Sequence, residues 1–151
     1  MMLKHSRDIM NWLNNNGFQV YVAQDEEYSY SLPGNTIYIG NDAVRTTENW
    51  FKDFLKTHGC AQVAEFNIHT LAFLHELGHH ITIPSFSDEE LSWFATIKEI
   101  IAERYETDEK TANLKYWSIQ DELAANKWAI QFINTHYQEA KKLDTIMTLA
   151  N

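Results

Sequence analysis

The sequence contains one cysteine, two prolines and five glycines in 151 residues, and each scarcity excludes something. Cys60 alone cannot form an internal disulfide and cannot build a cysteine-rich zinc ribbon, so any bound metal has to be held by histidine and carboxylate. Few prolines and glycines leave long stretches of chain free to run as uninterrupted helix. Basic residues are scarce too: 12 Lys and Arg face 21 Asp and Glu, a formal charge of −9 that repels a nucleic-acid backbone and anionic membrane surfaces. No run reaches about 18 apolar residues, and the N-terminal MMLKHSRDIMNWLNNNG has no apolar core followed by a small-residue cleavage site. The expectation is a cytoplasmic protein with no direct nucleic-acid or membrane partner. What the chain does have is apolar mass, 44% with five Trp, seven Tyr and eight Phe, enough to bury one core in a single domain spanning residues 1–151.

Periodicity divides that domain into a small sheet and a helical remainder. Apolar positions at Leu3, Ile9, Met10 and Leu13 predict a helix ended by Asn14-Asn15-Asn16-Gly17. Phe18–Val22 and Thr36–Ile39 are rich in β-branched and aromatic residues and read as strands, with Tyr28–Leu32 as a third and Pro33-Gly34-Asn35 as a turn. Beyond Thr46 the pattern predicts helices over Glu48–Lys56, Gln62–Thr82, Asp88–Tyr105, Thr111–Tyr137 and a last segment to Leu149. Pro84 ends the second of these, and Ser87-Asp88-Glu89-Glu90 is a capping-box signature for the third. The fold class is therefore α+β, helix-dominated, with a small N-terminal sheet. Trp50, Trp93, Trp117 and Trp128, at helical spacings, are expected to pack inside.

One stretch carries chemistry. In Phe73-Leu-His-Glu-Leu-Gly-His-His-Ile-Thr82, His75 and His79 are four residues apart and so share a helix face, half of a tetrahedral metal site. Glu76 sits on the flank of that face, where a carboxylate can take a proton from water without ligating metal. Random placement would give H-E-x-x-H in roughly 3% of such chains, so the surroundings have to decide. They favour a site: Phe66, Ile68, Leu71, Phe73, Leu74, Leu77 and Ile81 make the helix apolar nearly all round, and imidazoles and a carboxylate buried there without partners would be costly. His80 points about 100° away and drops out.

A third ligand has to come from elsewhere. Glu99 and Glu103 lie on the helix after Pro84, and Asp121 and Glu122 in DELAANKWA; Glu122 is preferred because Ala124, Ala125 and Ala129 permit close helix approach. Asn126, one turn on, is placed to hydrogen-bond a ligating imidazole. Donors for a developing oxyanion include Tyr105, Tyr116, His80 and His136, and spacing selects none of them.

HELGH followed by DELAANKWA resembles the gluzincin metallopeptidases, and the E-x-x-A-N-x-[FW]-A pattern most resembles the ImmA/IrrE family. That resemblance covers roughly 66–132. It implies a zincin-like fold, zinc on His75, His79 and Glu122, Glu76 as general base, Asn126 behind a ligand, and a protein or peptide substrate, in a group common in phages and mobile elements. It also implies an extended substrate along an edge strand, for which Thr36–Gly40 is the candidate, with an interior position for that strand as the other reading. The 43-position interval from His79 to Glu122 exceeds the family's usual gap and holds the extra helix Asp88–Tyr105.

Overall fold

The computed structural model describes residues 6–41 and 48–150, apart from the side chains of 48–50 and 149–150, so Leu3 and the Trp50 side chain lie outside the described residues. In chain order, α1 (Ser6–Asn15) leads into β1 (Tyr21–Gln24), β2 (Ser29–Ser31) and β3 (Thr36–Ile39). There follow α2 (Glu48–Thr57), α3 (Ile68–Thr82), α4 (Asp88–Arg104), α5 (Glu109–Trp117), α6 (Gln120–Thr135) and α7 (Tyr137–Ala150), with single 3-10 turns at Val63–Glu65 and Ile83–Ser85. The result is helix-dominated α+β.

The three strands are ordered β1-β3-β2, β3 pairing parallel with β1 and antiparallel with β2. β3 buries one face: Ile37 and Ile39 point into the core and are fully covered, while Thr36 and Tyr38 are half-buried. Of the two positions open to this strand, edge or interior, it takes the interior one, hydrogen-bonded on both sides. β2, whose Ser29 and Tyr30 pair with Tyr38 and Ile37, forms that edge instead.

Helix boundaries moved where local hydrogen bonds outbid periodicity. The expected helix from Gln62 starts at Ile68, because Asn67 adopts an extended conformation and its side-chain oxygen accepts from the His69 N–H, capping the helix there. Asp144 on α7 reinforces that start, accepting at 2.8 Å from the Asn67 N–H and at 2.7 Å from the Thr70 hydroxyl. The helix expected over Thr111–Tyr137 is two: Ile119 is extended, and the Ser118 N–H turns back to the Lys115 carbonyl. α4 starts as its sequence requires, with both capping-box hydrogen bonds of Ser87 and Glu90 formed.

The core is centred on α3, every residue of which from Ile68 to His79 is buried. It is sandwiched among the sheet, α6 and α7, while the Trp12 indole of α1 donates to the Glu139 carbonyl and ties the N-terminal helix to α7. A second, smaller cluster of Phe94, Ile101 and Ile119 joins α4 and α5 apart from the main core. Trp117 packs against Phe51 and Trp128 against Phe132, but Trp93 is 60% exposed, against expectation, because α4 turns that face away from the core. Cys60 is fully buried, and burial pushes its thiol pKa up, which leaves it inert.

The tightest crossing is that of α3 and α6. A methyl group on Gly78 would stand 2.4 Å from the Ala125 carbonyl oxygen and 3.0 Å from its Cα, so only glycine allows this approach. Gly78→Ala gains about 1 kcal/mol of helix propensity and forces the two helices apart. The expected net effect is a loss of about 1–3 kcal/mol, the range for overpacking a close-packed interior, read as a lowered urea midpoint at unchanged slope.

Candidate metal centre

Because Gly78 lies between His75 and His79 along α3, the close crossing at Ala125 falls within the stretch that carries both imidazoles. Glu122 and Asn126 stand one turn apart on α6 and bracket the same crossing from the other side. The two pairs meet. His75 Nε2 lies 2.9 Å and His79 Nε2 3.1 Å from the Glu122 carboxylate, and donor atoms of the three residues all fall within 4.8 Å of one another. All three are buried, Glu122 at 1% exposure.

Asn126 fixes the chemistry of this cluster. Its Oδ1, which can only accept, lies 2.7 Å from His75 Nδ1, so Nδ1 carries the hydrogen. In the neutral ring, Nε2 then presents a lone pair toward a carboxylate oxygen 2.9 Å away, two acceptors facing each other in a buried site. A cation between them, either a proton or a metal, is what makes that arrangement favourable. The Asn126 Nδ2 meanwhile finds no acceptor among the described residues, a cost borne by a side chain whose oxygen is aimed at His75. Phe51 and Trp117 enclose the His75 ring edge-on at 5.9 and 5.1 Å between centroids, which limits its rotation.

The donor set could hold a metal ion that takes nitrogen and oxygen ligands, zinc among them: two imidazole nitrogens and one carboxylate from two helices lie together, and the acceptor behind His75 would orient one of these ligands. Glu103, the alternative third ligand, is exposed on α4 and takes no part in the cluster, and neither does Glu99.

Glu76 lines a cavity of about 230 Å³ together with His79, Glu122, Asp121, Tyr28, Tyr116 and the edge-strand residues Ser29 and Tyr30. Burial, and secondarily the repulsion of Glu122, raises its pKa to about 7 against the attraction of His75 and Lys98. Burial would raise Glu122 as well, but the neighbouring imidazoles, His79 foremost, prevail and hold it well below the usual carboxylate range. Two carboxylates side by side are thus driven apart in acidity. Tyr28 and Tyr116 have their pKa values raised, first by burial and then by nearby carboxylates, so both phenols stay protonated donors. Tyr28 is anchored at 2.8 Å to the buried His69 Nδ1.

Of the expected oxyanion donors, only Tyr116 reaches this cavity. Tyr105 lies in the smaller cluster, His80 pairs with the Tyr30 hydroxyl at 3.1 Å, and His136 stacks on Phe132. One residue had no sequence signal at all. Lys98 of α4 reaches Asp121 at 2.6 Å and Glu122 at 2.7 Å and lies 5.5 Å from the centroid of the Tyr116 ring, supplying the positive charge that these acids need. Their attraction outweighs its own desolvation and raises its pKa. A lysine in an amphipathic helix reads as solvated, and only the position of α4 over α6 turns it inward. No family model matches the chain, and no curated protein or solved structure matches it.

Two outcomes follow for the metal-free protein. Glu76 keeps its proton in the folded chain up to about pH 7 but ionises near 4.5 when unfolded, so its stabilising contribution, full below pH 4.5, is lost as pH rises toward 7. Glu76→Gln cannot ionise, and in the presence of a chelator its stability relative to wild type should grow over that window, by on the order of 3 kcal/mol at the top; a constant difference in urea titrations contradicts the assignment. Lys98→Met leaves Asp121 and Glu122 without their ammonium. It should lower unfolding free energy by about 2–3 kcal/mol, under the range for fully buried pairs because the lysine side chain is 25% exposed.

Proposed function

We propose that the chain is a single-domain, zincin-like zinc peptidase, with zinc held by His75, His79 and Glu122 and with Glu76 as general base. One observation carries the reading: donors from the two His of α3 and Glu122 of α6 lie within 4.8 Å, with Glu76 in the adjoining cavity. The resemblance of HELGH and DELAANKWA to the ImmA/IrrE metallopeptidases supports it. Bound there, zinc would supply a water acidified to a pKa near 7 and a Lewis acid for a peptide carbonyl.

The chain's own groups supply the remainder. A Glu76 carboxylate oxygen takes the proton of the attacking water and returns it to the leaving amine, a task suited to a group that titrates near neutrality. Asn126 keeps the hydrogen of His75 on Nδ1, leaving Nε2 free to ligate. Tyr116, a neutral phenol lining the cavity, would exchange its hydrogen bond to Glu122 for one to an oxygen that gains negative charge. β2 replaces β3 as the strand along which a peptide would lie: its Ser29 and Tyr30 border the cavity, and its outer edge is open to an added strand among the described residues. No helix among the described residues is long and apolar enough to cross a membrane.

A second reading, a zinc-binding interaction module without proteolysis, draws on the size of the cavity, about 230 Å³, and on Lys98 already engaged with Glu122. Both readings expect about one zinc per chain in protein prepared with the metal, so a metal-free preparation defeats them together. They part at Glu76→Gln. Under the peptidase reading this variant keeps its zinc and loses hydrolysis of a peptide library by about 100-fold or more; bound zinc without any hydrolysis by wild type selects the module.

A further inference from the structure

We propose that α4 and α5 form a self-association face through which two copies of this chain pair antiparallel about a two-fold axis near Ile97. On α4 the residues Glu90, Trp93, Ile97, Ile100 and Arg104 follow one another at intervals of three, four, three and four, the spacing of a coiled-coil seam, so they form one narrow stripe. All five line a groove of about 860 Å³ between α4 and α5. Three of the six large hydrophobic residues that are exposed among the described ones lie here: Trp93 at 60%, Ile100 at 47% and Leu114 at 47%. An apolar concentration of this kind rimmed by charge marks an interaction surface.

The charges on the stripe select the occupant. Glu90 closes one end and Arg104 the other, each seven residues from Ile97. A second copy laid antiparallel puts its Arg104 against Glu90 and its Glu90 against Arg104, with Ile97 meeting Ile97 between them. This is the reciprocal pattern that a two-fold interface demands. A parallel pairing would set like charges together at both ends. Glu90 uses one carboxylate oxygen for its own helix cap, accepting from the Ser87 N–H, and has a second for the arginine.

Geometry permits the fit. Fourteen helical rises make a contact about 21 Å long, and the stripe of each copy seats in the groove between α4 and α5 of the other, giving a four-helix arrangement. At about 20 Å wide it covers about 400 Å² of each copy in projection, about 800 Å² for the pair, which is below the standard specific interface and in the range of weak, transient contacts. A dimer that forms at micromolar concentrations is the expectation. Lys98, next to the seam on α4, faces Asp121 and Glu122 from the other side of the helix, so pairing would also steady the helix that roofs the cavity. The inference does not depend on whether metal binds.

Sedimentation equilibrium on the full chain up to about 100 µM, at physiological ionic strength, tests it. Wild type is expected at twice 17.7 kDa. Arg104→Glu should weaken association at least ten-fold, and Glu90→Arg combined with Arg104→Glu should restore it, because both end pairs are then re-formed with reversed sign. Wild type that stays monomeric overturns the proposal and leaves the groove to a different partner. So does an undiminished dimer in Arg104→Glu, or a double variant that stays monomeric with wild-type helix content by circular dichroism. Should the double variant lose helix with its cap, Trp93→Ser decides instead: weakened association in a folded chain upholds the face, and an unchanged dimer overturns it.

Discussion

The contact of Gly78 with the Ala125 backbone is the constraint on which the rest depends. Helices carrying ordinary side chains pack with their axes 8–10 Å apart, and a glycine against a peptide unit permits the near end of that range. Only at such an approach can a short carboxylate on α6 stand within hydrogen-bond distance of two imidazoles on α3. The alanines around Glu122 serve the same end, Ala125 and Ala129 being almost wholly covered. Packing density and chemistry are one requirement here, since a bulkier pair of residues at the crossing would stabilise a core and pull the ligands apart.

That approach concentrates charge where water is excluded. Glu76, Asp121 and Glu122 are all buried, and each would be costly alone. The chain answers with different devices for each. Glu122 is held anionic by imidazoles and Lys98, Asp121 shares that lysine and accepts from the Glu122 N–H, and Glu76 is left to hold its proton until about neutral pH. Two carboxylates of opposed tendency within one cavity are what the proposed peptidase reading requires of a ligand and a base. The same balance explains why a cation between His75 and Glu122 would be welcome, and it underlies the zinc reading more firmly than spacing alone.

The α4–α5 hairpin adds a layer over this centre. It has its own small apolar cluster and touches α6 lightly compared with the way α3 does. Its inner face offers Lys98 and Tyr116 to the cavity, and its outer face presents Trp93, Ile100 and Leu114 to solvent. A helix with a lysine paired to buried acids on one side and exposed apolar residues on the other is not accounted for by the chain's own core, which is why the proposed self-association looks outward from it.

Much of this was legible along the chain because it is local. The spacing of His75 and His79 fixes them on one face whatever surrounds them, Ser87 and Glu90 cap α4 by contacts within one turn, and the β-branched and aromatic residues of Thr36–Ile39 mark a strand. Glu122 and Asn126 could be singled out by their four-residue interval and the alanines beside them. What only the tertiary structure decided concerns distances between elements: that Glu122 meets the histidines while Glu103 stays in solvent, that Lys98 turns inward while Trp93 turns outward, and that β3 is interior while β2 borders the cavity. The physical reason is that sequence interval determines geometry within a helix or strand, whereas the position of one element against another follows from packing the whole core, and for this chain that packing turns on a single glycine.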